Sequence, residues 1–175
     1  FDDPRHELVI GDALAYLDRT DEQWDVVISD LSDPVENGPA YQLFTRGYFE
    51  RARKVMAPGG VFAVQAGPVS PADMTIHVRL VNTVASVWDA ALSYQASVPS
   101  FGTQWGFILA SDKALSRKPD EAAADAALEQ HVRGALNYLD GAMLRAQRQT
   151  PPFLRAAIEA ETRVYTTDDP PKFGE

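Results

Sequence analysis

The feature that most narrows the fold of this chain is a series of short apolar runs in which hydrophobic residues stand side by side. They are Glu7–Ile10, Asp25–Asp30, Gly60–Ala66, Leu92–Val98 and Trp105–Ser111. A strand with one face in water alternates apolar and polar residues, whereas a strand covered on both faces reads as a nearly continuous apolar run. Between the first four runs lie helical patterns at Ala13–Arg19, Leu43–Met56 and Ala72–Trp88. In the second, Leu43, Tyr48, Phe49, Ala52, Val55 and Met56 recur at helical spacing, while Arg46, Glu50, Arg51, Arg53 and Lys54 fill the opposite, solvated face. In the third, Ile76, Leu80, Val84 and Val87 form the stripe to be buried, and His77 is expected to be exposed or hydrogen-bonded. Pro58-Gly59-Gly60 stops the second helix and returns the chain to the sheet. Such alternation predicts an α/β fold with a mostly parallel sheet and right-handed crossovers. The last two runs are joined only by Pro99-Ser100-Phe101-Gly102-Thr103, so they are expected to pair antiparallel at one edge.

After Asp112 the character changes. Lys113–Asp120 reads as a polar linker, Glu121–Arg133 as an alanine-rich helix, and Pro151–Arg163 as a helix with Pro at its start. The ending TTDDPPKFGE has too little apolar surface for a core element and is expected to lie along the surface. With 175 residues, 45% of them apolar, one core is expected: residues 1–112 forming the sheet domain and 113–175 a helical tail packed on it. The chain opens FDDPRHELVI without an initiator Met, which suggests a piece of a longer protein. No apolar run is long enough for a membrane span and no basic-then-apolar leader is present, so the expected compartment is the cytoplasm. Absence of cysteine rules out disulfides and thiolate chemistry in this chain, and His6, His77 and His131 form no close-spaced pair, so no metal site is expected. A formal charge of −9 disfavours nucleic acid or an anionic membrane as partner and favours a cation.

Open parallel sheets bind ligands beyond the carboxyl ends of their strands. Asp30 closes the second apolar run there, Asp33 follows three residues later, and Asp12 follows the first run in VIGDALAYL. Gln65 and Gly67, in VQAGP, end the third. Asp12 also reads as a plain helix cap, and Asp33-Pro34 as an ordinary turn. Asp30 is harder to assign to structure alone, because a carboxylate closing the run VVIS needs a cation or hydrogen-bond donor to offset its burial. Phe101 and Trp105 read as core or pocket lining, and Phe107 as core. The chain has no G-x-S-x-G elbow, no phosphate-loop motif and no G-x-G-x-x-G.

Three ordered stretches, DLSDPVENGPAYQLF, PGGVFAVQAGP and VPSFGTQWGFILASD, resemble the polyamine aminopropyltransferases of the spermidine synthase family. The first is most similar to the thermospermine synthase-like and bacterial long-chain polyamine branch. The resemblance runs from about Asp3 to Asp112, with a weaker echo at Pro151–Asp169. It implies a Rossmann-like, class I methyltransferase-type sheet. The implied reaction moves an aminopropyl group from decarboxylated S-adenosylmethionine to a diamine or polyamine, without a metal, in a homo-oligomeric full-length protein. Carried over residue by residue, Asp30 is the catalytic carboxylate, and Asp33, Gln65, Phe101 and Trp105 face the amine and aminopropyl groups. Asp12 and Ala13 hold the adenine amino edge, and Pro39, Ala40 and Leu43 form the wall beside it. Phe101 stands where many members have a Tyr, which leaves the acceptor open. On this resemblance the family's glycine-rich turn, ribose-binding acid and remaining amine channel precede Phe1. These 175 residues alone are therefore expected to bind nucleoside weakly and turn over slowly or not at all, with an apolar sheet edge uncovered. A class I methyltransferase and a non-catalytic polyamine-binding module remain as alternatives.

Overall fold

Strands β1 (Trp24–Ser29), β2 (Met56–Pro68), β3 (Ala90–Val98) and β4 (Thr103–Ser111) build one sheet in the spatial order β1-β2-β4-β3. The computed structural model describes residues 2–35, 38 and 40–172. β1 runs parallel to β2, and β4 lies antiparallel to both β2 and β3, so only β4 opposes the common direction. The antiparallel edge pair is the one the sequence predicts, but β4 stands between β2 and β3, so two of the three pairings are antiparallel and the sheet is mixed rather than mostly parallel. A 3-10 turn at Pro99–Phe101, followed by Gly102 at φ 69°, reverses the chain between β3 and β4. Glycine suits that left-handed position because it has no side chain to clash.

Among the described residues six helices accompany the sheet: α1 (Ala13–Arg19), α2 (Arg46–Lys54), α3 (Thr75–Ala85), α4 (Glu121–His131), α5 (Gly141–Gln147) and α6 (Pro152–Ala160). Phe62, Val64, Ala66, Ile108 and Ala110 of the sheet pack with Tyr48, Phe49 and Ala52 of α2 and Leu80, Val81 and Val84 of α3. Phe62 and Trp88 stack with ring centres 4.8 Å apart. Burying large apolar side chains in this layer is the main force fixing β2 and β4, and hence the site at their ends.

Several expectations are corrected. Residues 7–10 form no strand among the described residues, and Leu8 and Ile10 are 65% and 89% exposed. An apolar run becomes a strand only when a neighbour supplies its ladder, and no described strand pairs with this one. Coverage on both faces also fails for β1, where Val26 and Ile28 are 59% and 72% exposed at the sheet edge. The helix expected over 43–56 is a 3-10 turn at Tyr41–Phe44 and then α2, separated by Thr45 in extended conformation, whose Oγ1 donates to the Gln42 carbonyl at 2.9 Å. α5 was not anticipated. The ending is anchored: Tyr165 is fully buried, the Arg46 amide donates to its carbonyl at 2.9 Å, and Pro170 and Pro171 are buried although Thr167–Asp169 are exposed. The final three residues of TTDDPPKFGE lie outside the described residues. No helix among the described residues is long and apolar enough to cross a membrane.

Candidate functional site

The site is built where β1 and β2 end. Ser29, the last residue of β1, is buried and shares a 2.9 Å hydrogen bond with the Tyr48 hydroxyl of α2. Burial pushes the Tyr48 phenol up from its ordinary value. The bond pins the strand end, and the next residue, Asp30, emerges exposed. The desolvation argument for Asp30 therefore does not hold, since its carboxylate is in contact with water.

Gln65 fastens the rim together. It is 7% exposed; its Nε2 donates to the Leu31 carbonyl at 2.9 Å, and its Oε1 accepts from the Trp105 indole Nε1 at 2.9 Å and the Gly67 amide at 3.2 Å. One side chain thus ties the segment between Asp30 and Asp33 to the ends of β2 and β4. Phe101, 54% exposed, leans on Trp105 with ring centres 4.5 Å apart. Phe107, expected in the core, is half-buried and stacks on Tyr94 at 5.2 Å.

These groups enclose two adjoining chambers. The first, about 470 Å³, is lined by Asp30, Asp33, Gln65, Phe101, Trp105 and Phe107 among others. The second, about 540 Å³, shares Asp33, Gln65, Phe101 and Trp105 and extends over Gly67, Asp73, Ile76 and Leu80. Neither lining contains a Lys, Arg or His among the described residues. The side chains of Asp30, Asp33 and Asp73 make no hydrogen bond or ion pair among the described residues. Unpaired carboxylates set among aromatic and aliphatic walls make a receptor for an organic cation, through charge and through the faces of the rings.

α3 supports the second chamber from behind. His77 is fully buried, with Nε2 2.8 Å from the Ser93 hydroxyl of β3. Burial pushes its imidazole down to about 4, with the Ala66 backbone opposing the shift. Gly106 permits this packing, since a Cβ there would lie 2.2 Å from His77 Nδ1 and 2.5 Å from Val69 Cγ1.

Of the residues singled out from the sequence, Asp30, Asp33, Gln65, Phe101 and Trp105 come together. Asp12 and Ala13 line a separate cavity of about 420 Å³ with Leu8, Tyr16 and Tyr48. Asp12 also caps α1, its Oδ1 accepting from the Ala15 amide at 3.1 Å. Ala40 and Leu43 are buried in the main core, and Pro39 lies outside the described residues. Sequence reasoning missed Asp73, Ile76 as a chamber wall, and Thr103. An acid two residues ahead of a helix was the only signal for Asp73, and it would read equally as a turn.

Residues 1–119 match the family model described as spermine/spermidine synthase domain. A polyamine aminopropyltransferase of Synechococcus sp. (strain JA-2-3B'a(2-13)) is 45% identical, over 98% of this chain and 56% of the relative. The thermospermine synthase ACAULIS5 of Arabidopsis thaliana is 36% identical, over 93% of this chain and 48% of the relative. The chain thus spans about half the length of the curated relatives it matches. A crystal structure of a spermidine synthase with the transition-state analogue AdoDATO superposes with a TM-score of 0.78 over 91% of this chain and 53% of the other. At 20% identity that likeness speaks to the fold.

Proposed function

Because this chain belongs to the spermine/spermidine synthase domain family, we propose that the full-length protein acts in polyamine biosynthesis, moving an aminopropyl group from decarboxylated S-adenosylmethionine to a diamine or polyamine. The observation that supports this reading is the pair of chambers walled by aromatic rings and by carboxylates that, among the described residues, have no cationic neighbour in the lining and no partner.

The chemistry asks for such a site. The donor is a sulfonium, and the acceptor amine is protonated near neutrality, with a pKa of about 10 by analogy with Lys. One carboxylate–ammonium contact at about 4 Å is worth roughly 4 kcal/mol at an effective dielectric of about 20, before desolvation is subtracted. Attraction alone is not sufficient, because an ammonium has no lone pair to attack with. Asp30 is assigned the role of general base, taking the amine proton directly or through water as nitrogen attacks the carbon beside sulfur. That C–N bond forms as the C–S bond breaks, and the sulfur leaves as a neutral thioether. Asp33 faces the aminopropyl and amine groups. Gln65 holds the Leu31 carbonyl and the Trp105 indole in register, and Phe101 and Trp105 give the amine an aromatic wall. Asp12, Ala13, Pro39, Ala40 and Leu43 belong to the nucleoside side of the same reading. The full-length protein is taken as cytoplasmic and homo-oligomeric.

The test is mass spectrometry of the full-length gene product incubated with a panel of amines, with decarboxylated S-adenosylmethionine in one arm and ordinary S-adenosylmethionine in the other. A mass gain of one aminopropyl unit in the first arm is expected. Methyl transfer in the second arm, with no aminopropyl product in the first, would overturn the proposal.

A further inference from the structure

We propose that residues 161–171 form a strap that fixes the spacing between the 3-10 turn Tyr41–Phe44 and α3 behind the second chamber, and that Thr83 and Tyr165 are positioning residues for its wall. That this wall meets an acceptor amine rests on the aminopropyl-transfer reading; the hold of the strap on the wall does not.

Two elements far apart in the chain supply the apolar floor of that chamber. Phe44 ends the 3-10 turn, and Ile76 and Leu80 belong to α3. All of β2 lies between them in sequence. Tyr165 joins them from behind. It is fully buried; its amide donates to Thr83 Oγ1 at 2.9 Å, and its carbonyl accepts from the Arg46 amide at 2.9 Å. Arg46 opens α2, where the first amides have no partner within the helix, and the Thr45 hydroxyl gives no cap because it is turned onto the Gln42 carbonyl. The strap thus supplies from a distance a partner that the local sequence does not. Thr83, three residues beyond Leu80, is itself fully buried, and its hydroxyl is used twice, accepting from the Tyr165 amide and donating to the Arg79 carbonyl at 2.7 Å.

Further contacts fasten the strap on both sides. Toward α3, the Asn82 side-chain amide donates to the Glu161 carbonyl, the Glu161 carboxylate stands 3.5 Å from Arg79 Nε, and the Arg79 guanidinium lies 5.0 Å from the centre of the Tyr165 ring. Toward the 3-10 turn, Gln42 Nε2 donates to the Thr167 carbonyl at 3.4 Å. Thr166 and Asp169 exchange backbone hydrogen bonds of 3.1 and 3.2 Å, closing a turn ahead of the buried Pro170 and Pro171. None of residues 161–171 lines either chamber, so the strap acts on a ligand there only through the wall. Directional bonds between buried polar groups specify one spacing, whereas apolar contacts alone tolerate sliding.

The experiment is steady-state kinetics of the full-length protein, with acceptor varied and donor saturating, for the unaltered protein, Thr83→Val, Thr83→Ser and Asn82→Ala. Thr83→Val keeps the shape of the side chain and leaves the Tyr165 amide without its acceptor. It is expected to raise the acceptor KM about fivefold, the equivalent of one hydrogen bond, with kcat kept within about twofold. Thr83→Ser is expected to return KM close to the unaltered value, and Asn82→Ala to raise it by about twofold. An enzyme that is merely destabilised loses rate at every acceptor concentration without a change in KM. An unchanged acceptor KM in Thr83→Val, with or without a fall in kcat, or a Thr83→Ser protein no better than Thr83→Val, would overturn the inference. Should Thr83→Val not fold, an unchanged KM in Asn82→Ala would do the same. Calorimetry with spermidine on the same proteins separates the two claims. Binding that weakens in Thr83→Val and recovers in Thr83→Ser, in a protein that transfers no aminopropyl group, would keep the strap and remove the transfer reading; equal spermidine affinity in all of them would remove the strap.

Discussion

The outer face of α2 and the rim of the sheet contain the same kinds of charge arranged in opposite ways. On α2, Arg46 meets Glu50 at 2.9 Å, Arg51 meets Asp18 at 2.8 Å and Arg53 meets Asp112 at 3.0 Å. At the rim, Asp30, Asp33 and Asp73 share two chambers that no Lys, Arg or His lines among the described residues. Exposed pairs such as those on α2 contribute at most about 1 kcal/mol each. Carboxylates gathered without a counter-ion repel one another, and a polycation relieves that repulsion as it binds. The three arginines of the helix face are thus neutralised by partners, while the acids of the rim are available to a ligand. Net charge is a property of the chain, but its use is decided by which acids have partners.

That contrast can be broken most sharply at Asp30. Asparagine there is expected to slow aminopropyl transfer by the full-length protein by about 10²- to 10⁴-fold, while denaturant unfolding shifts by no more than about 0.5 kcal/mol. Near-full transfer would return Asp30 to the class of plain surface acids.

A second break concerns the support under the rim. Folded His77 titrates near 4 and an unfolded His near 6.5, so its neutral form contributes stability in full above about pH 6.5, and that contribution is lost as pH falls toward 4. The loss amounts to about 3 kcal/mol at the acid end. Urea titrations of the chain between pH 7.5 and 4 should follow that course, and His77→Gln should flatten this part of the dependence.

Gln65→Leu comes next. It leaves the Leu31 carbonyl, the Trp105 indole and the Gly67 amide without the partner that joined them. The expected cost is about 2 kcal/mol in unfolding, together with a shift in tryptophan emission. The smallest effect belongs to α2. Asp18→Asn should cost under about 1 kcal/mol, should matter less as salt rises, and should leave amine binding untouched. An effect on amine binding would erase the distinction between the two regions.

The parts of this molecule that local chemistry decides were legible in the sequence. α1 begins after its Asp12 cap and ends at Arg19 as its pattern implies, and β1 lies within one residue of the expected run. The short link before Thr103 foretold the antiparallel edge pair. What depends on distant partners was not legible. Residues 7–10 have the composition of a strand but no ladder, and Thr45 splits a continuous helical pattern by turning its hydroxyl onto the Gln42 carbonyl. His77 sits on the flank of a helix stripe, yet it is buried because Gly106 lets β4 approach. Asp30, Asp33, Gln65, Phe101 and Trp105 were identified before their meeting could be seen. Asp73 was not, because only the return of the chain from β2 into α3 brings it to the second chamber.

The most direct measurement is calorimetry of a linear polyamine binding to the full-length protein, the unaltered form against Asp30→Asn/Asp33→Asn, at low and high salt. The account predicts binding that weakens with salt and falls at least tenfold in the double variant. Equal affinity in both proteins, with the variant still folded, would contradict it.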